Sequence, residues 1–166
     1  LAPRLPALVE ALYATIPTGV GSKGRVTLDA RELREVMEAG AAWATRRGYG
    51  AAGDLERIES GGRLPGASDD GVSPHAVERG RRQLGTLGSG NHFLEIQVVD
   101  EIYDERTAAG WGIQAGQVTV MIHTGSRGLG HQICTDHLRT TGAALRKYGI
   151  DVPDRQLACV PVGSPE

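Results

Sequence analysis

The sequence predicts a mixed α/β (α+β) fold, with a mixed or antiparallel sheet and helices packed against it. Three observations lead there. Segments with apolar residues at helical spacing flank two short strand-like runs, "HFLEIQVVDEIY" and "QVTVMIH". Glycine punctuates the chain heavily: 24 of 166 residues, about twice the ordinary share. The 40% hydrophobic and 23% charged content is that of a globular chain, not a disordered one.

The elements follow in order. "PALVEALYATIPTGVG" reads as a short helix halted by Pro and Gly. "TLDARELREVMEAGAAWATRRGYG" is the clearest helix. Asp29 is placed to cap it, and Leu33, Val36, Met37, Ala41 and Ala44 recur at helical spacing. Arg46 and Arg47 fall at its C-terminal end, where the helix dipole favours cations. Residues 50–72 are polar and rich in Gly and Pro, which predicts a long, mobile surface loop. Ser73-Pro74 predicts the cap and first turn of a short basic helix, "HAVERGRRQLG". The first strand then runs over 92–103, a loop covers about 105–116, and the second strand covers 117–123. A long helix over about 129–148 follows, and "RQLACVPV" predicts a third strand with Cys159 in its core.

Composition narrows the function classes. A net charge of −2 argues against a globally basic nucleic-acid binder, while a local phosphate site stays open. Two cysteines, Cys134 and Cys159, make no disulfide framework and fit a reducing compartment. No apolar run approaches the ~20 residues that span a bilayer, and no leader is recognisable. The cytoplasm is the expected location. The chain opens on Leu-Ala-Pro and closes on "VPVGSPE". We therefore expect residues 1–166 to be a single segment of a longer protein.

Two glycine-flanked histidines carry the chemistry. Gly88-Ser89-Gly90-Asn91-His92 leads into the first strand, and His123-Thr124-Gly125-Ser126-Arg127-Gly128 leaves the second. If the strands pair antiparallel, a strand start and a strand end share one edge of the sheet, and the two imidazoles converge. Alternation puts His92 with Leu94, Ile96 and Val98, and puts Asn91, Phe93 and Glu95 on the other face. In the second strand His123 follows Thr119 and Met121. Neutral imidazole suits Zn, Mn, Fe, Co or Ni. "HTGSRGLG" runs through glycines into a helix, whose exposed N–H groups favour an anion, and Arg127 offers a planar fork for phosphate. Metal beside phosphate points to phosphoryl or nucleotidyl transfer.

Plainer readings compete. A lone histidine at a strand end is more often a hydrogen-bonded structural residue, and a Gly-rich turn is more often only a turn. His131-x-x-Cys134-x-x-His137 has metal-like spacing. On a helix, however, residues six apart point about 240° apart and do not share an ion easily. His131 lies in the first turn, where it can approach a phosphate, and His75 follows a helix start and is expected to be solvated.

Two long motifs, "QLGTLGSGNHFLEIQ" and "HTGSRGLGHQ", closely resemble the RtcB-type RNA-splicing ligases. "IPTGVGSKG", "YGAAGDLERIESGGRLPGA", "AVERGRRQLG" and "LACVPVGSPE" extend the likeness in the same order over nearly the whole chain. The resemblance implies a ligase that joins RNA ends bearing a 2′,3′-cyclic phosphate or 3′-phosphate to a 5′-hydroxyl. It implies GTP and divalent metal, usually manganese, with two ions in the complete site. A histidine attacks GTP and becomes guanylylated; GMP passes to the RNA 3′-phosphate, and the 5′-hydroxyl displaces it. His92 and His123 match the family's metal ligands, and Asn91, His92, Phe93, Leu94 and Glu95 match the stretch bordering GTP. Arg127 matches the arginine that holds a phosphate of GTP or RNA. An archease-type activating protein is an implied partner.

The family's aspartate–cysteine metal motif has no match here, and its nucleophilic histidine and a further metal histidine lie beyond the matched region. The segment alone is therefore expected to be inactive. The alternatives are a non-catalytic nucleotide- or phosphate-binding fragment, or another metal-dependent phosphotransferase or hydrolase sharing the loop.

Overall fold

The computed structural model describes residues 2–166. They gather into two compact units, one formed by 2–25 and 85–125 and the other by 26–84 and 126–166.

The first unit holds the sheet. Helix α1 (Leu5–Thr15) carries Pro6 in its first turn and ends where Ile16 turns extended, its N–H donating to the Leu12 carbonyl at 2.9 Å. The residues after it pair with the approach to the first strand. Leu87 N–H donates to Pro17 O at 2.9 Å, and Gly19 N–H donates to Gly88 O at 2.7 Å. Strands β1 (Phe93–Val98) and β2 (Val118–His123) form a two-stranded antiparallel sheet, as expected for the fold class. Its register runs from Phe93↔His123 to Val98↔Val118.

Two sequence expectations change in this unit. The first strand begins at Phe93, not at residue 92, and ends at Val98 rather than near residue 103. The predicted loop at 105–116 contains helix α5 (Glu105–Trp111). Its signals were present but short. The Asp104 carboxylate accepts the Thr107 N–H at 3.0 Å and the Thr107 hydroxyl at 2.8 Å, and left-handed Gly112 closes the helix. Those two Thr107 donors also hold the Asp104 carboxyl below its ordinary pKa.

The second unit holds a helical core. Leu28, Leu33, Trp43 and Val77 are buried together, with Val36, Met37, Leu84 and Leu129 against them. Helix α2 (Ala30–Ala39) opens with the expected Asp29 cap, completed as a reciprocal box by Glu32. The single long helix expected here is instead two. It breaks at Gly40 (φ 56°), and α3 (Ala41–Arg46) continues after the break. Apolar spacing runs through the glycine and hides the break. Trp43 is buried, with the Arg47 guanidinium 5.1 Å from its ring centroid.

The 50–72 stretch is mainly exposed, as expected, but it is not featureless. It makes 3₁₀ turns at Ala52–Arg57 and Glu59–Gly62, and Arg34 forms an ion pair with Asp69. Helix α4 (Pro74–Gly80) is capped by Ser73, whose hydroxyl accepts Ala76 N–H at 3.1 Å, and His75 at its start is exposed, as expected.

Helix α6 (Arg127–Tyr148) packs on α4. A Cβ on Gly80 would stand 2.9 Å from the Leu129 Cβ, so glycine permits this close approach. Polar bonds reinforce the contact. Ser73 and Gln132 donate to Asp136 at 2.6 and 2.8 Å, and Arg79 donates to the buried Gln132 at 2.8 Å. The same two donors hold the Asp136 carboxyl below its ordinary pKa, and the Arg139 charge adds to the effect.

The predicted third strand is absent among the described residues. Asp154 accepts Gln156 N–H at 2.8 Å and starts a 3₁₀ turn at Arg155–Leu157, and Cys159 is exposed rather than in a core. An apolar run becomes a strand only where a partner edge is within reach, and none pairs with it here.

Candidate metal and phosphate site

The site builds outward from the end of the sheet. Phe93 and His123 are the last pair of the β1–β2 ladder, and residues directly opposite in an antiparallel pair share a face. Phe93, Glu95 and Gln97 therefore lie with His123, Met121 and Thr119. The Phe93 and His123 rings stack, with centroids 5.4 Å apart and planes 18° apart.

His92 corrects the alternation reading. That reading assigned it to the Leu94 face, opposite Phe93. Because the strand starts only at Phe93, pleat alternation does not govern His92. Its ring lies 6.0 Å, centroid to centroid, from that of His123. The predicted convergence of the two imidazoles is thus present, reached through the turn rather than through the pleat.

Glycines shape the approach. Gly88 (φ 122°) and Gly90 (φ 74°) adopt backbone that L side chains rarely enter, and they turn the chain from Leu87 to His92. Gly125 leaves space on the other side, where a Cβ would stand 3.7 Å from His92 Nε2. Gly125 carries no left-handed backbone, so alanine fits there without strain. Its methyl would, however, intrude on the space that an ion on Nε2 and its other ligands need, since metal–imidazole bonds are ~2.1 Å long. If His92 holds a divalent metal through Nε2, Gly125→Ala is expected to weaken its binding about tenfold, on the scale of changes beside a metal ligand. Thermal melting should stay near wild type. Titration with Mn²⁺ alongside a melting curve checks both, and unchanged metal affinity would refute the crowding.

The other expected residues lie as follows. Asn91 is exposed in the turn before β1. Glu95 is exposed and accepts a hydrogen bond from Gln97 at 2.7 Å. Leu94 lines a hollow of about 230 Å³ with Val9, Leu12, Tyr13, Ile16, Thr18 and Leu87. Arg127 opens α6 in the second unit with φ 54°, a left-handed backbone unusual for a non-glycine.

The anion reading of the α6 start is narrowed. The Gly128 N–H donates to Gln83 Oε1 at 2.7 Å, so one of the helix's first amides already has a partner. Gln83 was not singled out from the sequence. It is the first residue of the "QLGTLGSGNHFLEIQ" motif, and that position was its only signal.

His131, Cys134 and His137 are all exposed along α6, and His131 Nδ1 lies 3.5 Å from Arg79 Nη1. Among the described residues no three His, Cys, Asp or Glu side chains gather as a metal group. His92 and His123 thus stand as a pair. No helix of the described residues is long and apolar enough to cross a membrane.

Comparison with known proteins agrees with these motifs. A family model described as tRNA-splicing ligase RtcB matches residues 1–166. A protein of Archaeoglobus fulgidus named tRNA-splicing ligase RtcB is 55% identical over 164 residues, 99% of this chain and 34% of its own length. The Mycobacterium tuberculosis RNA-splicing ligase RtcB is 56% identical over 167 residues, covering 100% of this chain and 39% of its own length. The chain therefore spans between a third and two-fifths of these two relatives. A Pyrococcus furiosus tRNA-splicing ligase RtcB is 54% identical over 164 residues, 17% of its length. The chain belongs to the RtcB family of tRNA-splicing ligases.

Proposed function

We propose that this chain supplies part of the catalytic domain of a GTP- and manganese-dependent RNA ligase. The enzyme joins RNA ends bearing a 2′,3′-cyclic phosphate or 3′-phosphate to 5′-hydroxyl ends through a guanylylated histidine. The observation that carries the reading is the 6.0 Å separation of the His92 and His123 rings, inside two motifs that resemble the family's. An ion ~2.1 Å from one nitrogen of each ring bridges centroids up to about 6.5 Å apart, so the pair fits one shared ion. Two imidazoles do not complete a coordination sphere, and the remaining ligands belong to parts of the family's sequence that this chain does not match.

Each residue then has a task. His92 and His123 would hold the metal through imidazole nitrogens. When bound, Mn²⁺ supplies Lewis-acid stabilisation of charge on phosphoryl oxygens. Asn91, Phe93, Leu94 and Glu95 border the nucleotide. Arg127 holds a phosphate of GTP or RNA through its planar fork. The guanylylated histidine is not among the residues of this chain. RNA, GTP and an archease-type activator are the partners, and the cytoplasm is the location.

Incubation with α-³²P-GTP and Mn²⁺ tests the assignment of the nucleophile. The 166 residues alone should form no covalent GMP adduct, whereas a longer native protein carrying them should form one. A stable adduct on the 166-residue chain would overturn the assignment. Ligation of 3′-phosphate to 5′-hydroxyl RNA by that native protein tests the activity. Trimming of the ends without joining would favour a phosphohydrolase instead.

A further inference from the structure

We infer that Thr124 is a positioning residue whose hydroxyl, held on the Leu87 carbonyl, keeps His123 beside His92. The inference rests on the metal-binding reading of the two histidines. The hydroxyl donates to Leu87 O at 2.5 Å across 37 residues of sequence. That distance is at the short end of the range for O–H···O bonds.

Leu87 is a fixed point for such a tether. Its own N–H is bound to Pro17 O at 2.9 Å, and the next residue's carbonyl accepts Gly19 N–H at 2.7 Å. Leu87 is thus held to the end of α1 on one side and to Thr124 on the other. From Leu87 the chain turns through Gly88 and Gly90 into His92. From Thr124 it runs one residue back to His123. The Thr124–Leu87 hydrogen bond therefore joins the two segments that deliver the two imidazoles.

The ladder alone would hold His123 weakly. Its pair with Phe93 is the last of a two-stranded ribbon, and terminal pairs of isolated ribbons open readily. His123, Thr124 and Gly125 are all exposed, so no buried side chain anchors the strand end. Stacking on Phe93 sets the ring's tilt; the Thr124 hydroxyl fixes where the strand end stands relative to the Gly88–His92 turn. The hydroxyl is the group that makes this tether. A serine keeps the donor, and a valine keeps the shape but leaves the Leu87 carbonyl without it.

The experiment compares wild type, Thr124→Ser, Thr124→Val and Thr124→Ala in the native protein. Thr124 is exposed, so none of the replacements empties a core. Two readouts are taken: Mn²⁺ affinity by electron paramagnetic resonance, and ring-to-ring nuclear Overhauser contacts between labelled His92 and His123 in metal-free protein. Thr124→Val and Thr124→Ala are expected to weaken Mn²⁺ binding about tenfold, the lower end of the loss seen when a group supporting a metal ligand is removed. They should also weaken the ring contact, and Thr124→Ser should restore both. Unchanged ring contact in the valine and alanine variants would overturn the inference. So would a serine variant that behaves like valine, because the methyl would then be the group that matters. If wild type binds no Mn²⁺, the metal reading fails, and the ring contact in metal-free protein still decides the role of Thr124.

Discussion

Replacing His123 by alanine is expected to lower Mn²⁺ affinity more than about 100-fold and to abolish ligation by the native protein. Groups that merely support a metal ligand already contribute ~10–100-fold, and His123 is read as a ligand itself. Its partner, 6.0 Å away centroid to centroid, is His92, so His92→Ala should give the same loss. The double variant should add little, because the first substitution already dismantles the shared site.

Stability should hardly change. His123 is exposed at a strand end, and exposed substitutions typically stay within ~0.5 kcal/mol. That separates loss of metal from loss of fold. His137→Ala serves as the control: it is an exposed histidine on α6 with no assigned role, and metal affinity should be unaffected. Calorimetric titration with Mn²⁺ and a ligation assay on 3′-phosphate RNA measure both effects. Wild-type metal binding by both His92→Ala and His123→Ala would remove the site assignment.

Gly40→Ala should produce the largest loss of stability, about 3–5 kcal/mol. Gly40 breaks the α2–α3 segment with φ 56° and ψ −139°, a conformation that is almost exclusively glycine's. A Cβ there would lie 2.2 Å from the Gly62 carbonyl oxygen and 3.4 Å from the Arg63 Cα. Those are backbone atoms, which cannot rotate away as a flexible side chain would. The 3₁₀ turn at Glu59–Gly62 must separate from the helix break, or the break must straighten. Straightening would displace buried Trp43 three residues on.

Gly66→Ala isolates the steric part. Gly66 is also left-handed, with φ 74°, but nothing lies within 4 Å of its Cβ position. It should cost only the ~1–2 kcal/mol of the backbone conformation. Urea unfolding of the two variants measures the difference, and equal losses would show that the Gly62 contact is relieved without cost.

Much of this protein is legible in the residues alone. Local signals carried through wherever the chain's own neighbours satisfy them. The Asp29–Glu32 box and the Ser73 cap are such cases, since each bond closes within three residues. Antiparallel pairing was a condition the sequence left open, and the β1–β2 ladder meets it. The two histidine motifs were legible as a family pattern, which spacing alone would have left open.

The remainder depended on contacts between distant parts of the chain. The third strand failed because an apolar run needs a neighbouring edge, and "RQLACVPV" met none among the described residues. The long helix broke because Gly40 meets Gly62, more than twenty residues away, while its apolar spacing continued unbroken. His92 joined His123 for a related reason. Pleat alternation, a local rule, stops where the ladder stops, at Phe93. Beyond that point the ring's position follows from glycine turns and from the Thr124–Leu87 bond across 37 residues. The sequence by itself determined the two paired strands, most of the helices, the Asp29 and Ser73 caps and the family pattern. The tertiary structure alone decided which ends meet, because the bonds that hold them together join residues no local pattern relates.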